Sequence, residues 1–166
     1  MKKNLFILLV TMIVFSSCNS EKKYQENMRT TIYMMAEIMV ESMEQTEKIV
    51  NIWETAIYEN KYNGKYCRDF NDALQDFIPK IMDEPMVRKK LIDDVNNIDV
   101  KMQELKKFPS KYKEAFYEMA ELAPLVKKIA ENVKAPSGSL LTYGEKQAEL
   151  SNEIMNRIDV IILKYL

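Results

Sequence analysis

The sequence predicts an all-α fold, an up-down four-helix bundle, and three observations carry that reading. Apolar residues recur at steps of three and four over long stretches, the spacing that holds them on one helix face. Only 3 glycines and 5 prolines occur in 166 residues, which leaves little material for tight turns. Four of those prolines, Pro79, Pro85, Pro109 and Pro136, fall between the apolar stripes rather than within them.

The chain opens on Lys2 and Lys3, then an apolar run from Leu5 to Phe15 interrupted only by Thr11, then Ser16, Ser17 and Cys18. Crossing a bilayer core of about 30 Å takes about 20 helical residues, so the run is read as a secretory signal over residues 1–17 rather than a membrane span. The cysteine placed directly after two serines resembles the lipobox of bacterial lipoproteins, with Phe15 where leucine is usual. That resemblance implies cleavage before Cys18 and acylation of its thiol, palmitate included, in the mature protein. Several acyl chains anchor a protein stably, whereas one binds only marginally. The implied location is the bacterial cell envelope, lipid-anchored; Asn19 after the cysteine points, by analogy with other lipoproteins, to the outer membrane facing the periplasm.

Residues 18–27 then read as lipid anchor and polar tether, reaching no more than about 30 Å when extended, and 28–166 as one domain of ordinary size. Met28, Ile32, Met35, Met39, Thr46, Ile49, Trp53 and Ala56 mark one face of a first helix running to about Tyr62, with Asn63 and Gly64 ending it. Asp69 is placed to cap a short helix over 70–78 that Pro79 should break, and Asp83 to restart it. Val87, Leu91, Val95, Ile98, Met102 and Leu105 carry that broken second arm to Pro109. Tyr112, Phe116, Met119, Ala123, Val126, Ile129 and Val133 make the third, with a kink expected at Pro124. Thr142 and Glu145 read as a capping box for the last helix, through Leu150, Ile154, Ile158, Ile161 and Tyr165. The tether then assigns the ends: 62–68 and 135–141 far from the membrane, and Lys106, Lys107, Lys111, Lys113 and the C-terminus near it, where basic side chains meet anionic head groups.

Composition excludes more chemistry than it supplies. Two of the 24 basic residues and none of the 25 acidic ones lie in the signal, leaving 22 against 25 and a net charge of −3, no footprint for nucleic acid. There is no histidine, and with Cys18 acylated, Cys67 has no partner for a disulfide and reads as a small buried residue. No nucleophile-base set, phosphate-cradling glycine loop or catalytic carboxylate pair can be assembled, so the chain is read as non-enzymatic, with no cofactor and no metal site. Met35, Met39 and Met43 stand one turn apart in the manner of a Cu(I) row but read as core. Glu37, Glu41 and Glu44 read as a solvated face, since carboxylate-bridged metal bundles also need histidines. Asp93, Asp94, Asn96, Asn97 and Asp99 lack the glycine and closing glutamate of a calcium loop.

Basic and aromatic residues interleave at Lys61, Tyr62, Lys65, Tyr66 and Arg68, a combination favoured at recognition hot spots. Trp53 with Ile57 and Tyr58, the run from Asp69 to Leu74, and Pro136 to Leu140 are similar to segments of uncharacterised small helical bacterial proteins; the resemblance implies no activity. The expected function is therefore a protein-interaction module of adaptor or inhibitor/immunity type, binding an envelope protein through its distal end. The competing expectation is a carrier of a small apolar ligand or soft metal ion in the methionine-rich core.

Overall fold

The computed structural model describes the backbone of residues 2–166 and the side chains of residues 20–166 apart from Phe70, so the side chains of the signal run and of Cys18 lie outside the described residues. The described residues are mostly helical, with one two-stranded sheet of two residues per strand among them. No helix is long and apolar enough to cross a membrane among the described residues.

Helix α1 spans Lys2–Glu59. Its predicted stripe is the core face: Met28, Ile32, Met35, Ile49, Trp53 and Ala56 are all buried. Two expectations fail at its ends. Residues 20–27 are helical rather than an extended tether, because Tyr24 is an apolar anchor: it is buried, stacks on Tyr112 with centroids 5.2 Å apart, and donates its hydroxyl to the Leu105 carbonyl at 3.1 Å. At the far end the helix stops at Asn60, whose φ of 52° takes the left-handed conformation that asparagine tolerates. Asn63 and Gly64 do a different job. With φ of 50° and 75° they form the tight turn between strands β1 (Lys61–Tyr62) and β2 (Lys65–Tyr66), the sequence pair most favoured for a two-residue hairpin.

Asp69 caps α2 (Phe70–Asp83) as expected, accepting from the backbone N–H of Asn71 at 2.8 Å and of Asp72 at 3.3 Å. Pro79 does not break this helix. It sits on the exposed side together with Gln75, whose carbonyl loses its helical partner to water rather than to a dry interior. The break comes at Glu84, held extended ahead of Pro85, which starts the short helix α3 (Pro85–Arg88). A π-helical stretch, Lys89–Asp94, joins α3 to α4 (Val95–Leu105). Within it Lys90 is clasped between Asp94, at 3.1 Å, and Glu37 of α1.

A 3₁₀ turn at Ser110–Tyr112 leads into α5 (Lys113–Lys134), which runs uninterrupted through Pro124, again with the freed carbonyl's residue, Ala120, exposed. Helix α6 (Leu140–Tyr165) carries a capping box three residues earlier than predicted. Ser139 is the cap, accepting from Thr142 N–H at 3.3 Å while Thr142 Oγ1 accepts from Ser139 N–H at 3.1 Å, so Thr142 takes the place expected of Glu145.

Cross-links give the directions. Gln25 and Arg29 donate to carbonyls at the C-terminus, Lys90 meets Glu37, Arg157 meets Glu121 and Lys127 meets Asp99. Helices α1 and α6, α5 and α6, α1 and α4, and α4 and α5 are therefore antiparallel neighbours. Lys111 pairs with Glu21, so the 106–113 turn and the C-terminus share the end of the molecule nearest Cys18, and the hairpin lies at the other.

One layer of the core is polar. Gln147 of α6, fully buried, donates to Thr46 Oγ1 of α1 at 3.1 Å and to the Ile129 carbonyl of α5 at 3.4 Å, and accepts from Asn132 Nδ2 at 2.8 Å. Thr46 in turn donates to the Ser42 carbonyl at 2.8 Å. Burial without such bonds would cost each group about 1–3 kcal/mol, so the layer sets the register of three helices against one another.

Candidate functional site

The distal hairpin sorts the five predicted residues by the two-residue period of a strand. The register sets Lys61 opposite Tyr66 and Tyr62 opposite Lys65, one pair on each face. On the inner face Tyr62 is half-buried and packs edge-to-face on Phe77 of α2, centroids 6.4 Å apart. Tyr62 therefore closes the end of the core. On the outer face Tyr66 is 72% exposed and Lys61 is exposed too.

Arg68 is exposed but not free to roam. Its Nε and Nη2 donate to the two oxygens of Asp72 at 3.1 and 3.3 Å, and its backbone N–H donates to the same carboxylate at 3.1 Å. These bonds hold the Asp72 carboxyl below the usual carboxylate range and the guanidinium above its own ordinary value. The buried Cys67 links hairpin to helix: its N–H donates to the Asn60 carbonyl at 3.0 Å, closing the ladder, and its thiol faces the Lys65 carbonyl at 3.8 Å. The hairpin is thus clamped on both flanks, and Lys61 and Tyr66 remain as its outward-facing groups, with Lys65 exposed on the face it shares with Tyr62.

Sequence reasoning singled out Ile57, Tyr58 and Leu140 only through a resemblance, not as an apolar surface, and left Leu141 unremarked. Tyr58 is 79% exposed, Leu141 is 70% exposed and Ile57 is exposed beside them, although each falls within a helix. The signal was partial: Tyr58 follows the buried Ala56 by two positions and Trp53 by five, off the core stripe, whereas Ile57 lies four beyond Trp53. The end of α1 and the start of α6 together line an open hollow of ≈ 650 Å³ that includes Ile57, Tyr58, Leu140 and Leu141.

The other candidate groups behave as expected of structure. Met35 and Met39 are buried and Met43 packs against the core. Glu37 pairs with Lys90, and Glu41 accepts from Gln45. No cluster of three His, Cys, Asp or Glu residues suited to a metal occurs among the described residues. No family model, curated protein or solved structure matches the chain.

Proposed function

We infer that the chain is a membrane-anchored, non-enzymatic envelope lipoprotein whose helical domain acts as a protein-interaction module, as an adaptor or an inhibitor/immunity factor. The observation that carries this reading is the end opposite Cys18, where Tyr58, Tyr66 and Leu141 are exposed on elements pinned by the hairpin ladder, the Arg68–Asp72 clamp and the Ser139 cap. Large apolar groups held rigidly in water bind with little loss of freedom, which is what recognition surfaces need. The antiparallel neighbours support a four-armed up-down bundle with α2 to α4 as one broken arm. In that arrangement Lys106, Lys107, Lys111 and Lys113 face the membrane and the hairpin faces away from it.

The test is photo-crosslinking in living cells with the reactive amino acid at Tyr66, since Tyr62 is half-buried, followed by mass spectrometry of the solubilised envelope. A discrete protein adduct, together with palmitate labelling that disappears in Cys18→Ser, is the expected result. A correctly localised lipoprotein that yields no adduct at Tyr66 would remove the hairpin as a docking point. Retained acyl labelling in Cys18→Ser would remove the anchor.

A further inference from the structure

The hollow at the distal end does not stop there. A second one, ≈ 600 Å³, shares Val50 and Gly144 with it and continues along the seam of α1 and α6 past Met43 to Met155. Along α1 the trough runs from Val40 to Tyr58, about 27 Å at ~1.5 Å per residue, the length of a helix of about five turns. Val40, Ile57, Tyr58, Leu141 and Met155 are all exposed along it. Its floor is shallow at Gly144 for a specific reason. A Cβ there would meet nothing nearer than Val50 Cγ2 at 3.8 Å, an ordinary contact, so the packing of this chain does not demand glycine in mid-helix. What the missing side chain leaves is space for something lying along the seam.

The rim says what that something carries. Four carboxylates, Glu44, Glu47, Glu54 and Glu145, line the trough, and no lysine or arginine does. None of the four forms an ion pair among the described residues; away from the trough, Glu21 and Glu37 of α1 and Glu153 of α6 do. An apolar floor between unneutralised acids repels a second copy of itself and an anionic membrane alike, and attracts cations.

We propose that the α1–α6 trough is the docking groove for an amphipathic helix of a partner protein, its apolar stripe against Val50, Gly144 and Leu141 and its flanking lysines or arginines against the four glutamates. Helix-in-groove recognition of this kind reads anchors one turn apart and fixes orientation by charge. The proposal rests on the reading of the chain as an interaction module and locates the contact on one face.

The test places the photo-reactive amino acid at Leu141 in the full chain, in cells, and sequences the crosslinked segment. The expected adduct is a protein segment with helical apolar spacing and net positive charge. Its yield should fall about tenfold in Gly144→Leu, which fills the floor, and about as much in the quadruple variant E44Q/E47Q/E54Q/E145Q. Thermal melts establish that each variant is folded, and if Gly144→Leu is not, the quadruple variant decides. A neutral or acidic segment, a lipid, a second copy of this chain, or a yield indifferent to both variants would overturn the proposal. An adduct at Tyr66 with none at Leu141 would overturn the groove and leave the interaction module standing; silence at both positions would overturn both.

Discussion

Gly144 offers a test of the groove that needs no partner. It lies in the interior of α6, where glycine costs a helix about 0.8–1.0 kcal/mol relative to alanine. The new methyl group of Gly144→Ala would stand 3.8 Å from Val50 Cγ2, near the optimum for carbon atoms, and add about 0.1–0.2 kcal/mol per such contact. The variant should therefore be more stable by about 1 kcal/mol, which in a domain of this size raises the midpoint of thermal unfolding by about 2–4 °C. Circular dichroism melts of the full chain in detergent, with urea midpoints as a check, measure it. A lowered midpoint would refute the reasoning, for it would mean that glycine is required by the close approach of α1 and that the floor is closed.

Gln147→Leu removes three hydrogen bonds of about 1 kcal/mol each while returning part of that in apolar burial, so a net loss of about 1–2 kcal/mol is expected from urea unfolding. Combined with Thr46→Val the two losses should fall short of their sum by about 0.5–1 kcal/mol, and strict additivity would show that the layer is not a network. Burial first, and then the neighbouring Tyr112, push the Tyr24 hydroxyl up to about 12 from its ordinary 10.0. A raised value means that the stability it contributes is whole below about pH 10 and is lost as pH rises towards 12. Tyr24→Phe should flatten that alkaline loss by about 1 kcal/mol, allowing for solvent screening at the end of the bundle. Asp69→Ala unties two amides at the start of α2 and should cost about 1 kcal/mol, seen first as faster hydrogen exchange in the first turn of that helix.

The helix faces were legible because burial imposes one period on many residues. Val87, Leu91, Val95 and Ile98, or Ile154, Ile158 and Ile161, need only be counted. The hairpin was not legible, since strands of two residues are too short to show alternation, and Asn63-Gly64 serves a helix end or a tight turn equally well. Thr46 was legible as part of the α1 stripe, but Gln147 was not legible as its partner, because only the fold brings the two side chains within bonding distance. The expected break at Pro79 turned on which side of the helix faced water, a property of packing rather than of proline. Of the candidate site, the basic and aromatic cluster was visible in sequence. The trough was not, for it is made of residues that lie off each helix's own stripe and become one surface only where α1 meets α6.

The continuous helix from Ser20 to Glu59 in place of a loose leader has a mechanical consequence. From Ser20, two positions beyond the proposed anchor, about 60 Å of helix at ~1.5 Å per residue runs to the hairpin. In the proposed anchored form, a flexible leash would leave the distance from anchor to tip variable, whereas a strut would fix it. A partner at that distance from the anchor would meet the tip at high local concentration, and one beyond it would be out of range whatever its intrinsic affinity. Inserting or deleting whole helical turns between Asn19 and Tyr24 would act as a ruler, changing which partners come within reach while leaving the binding faces untouched.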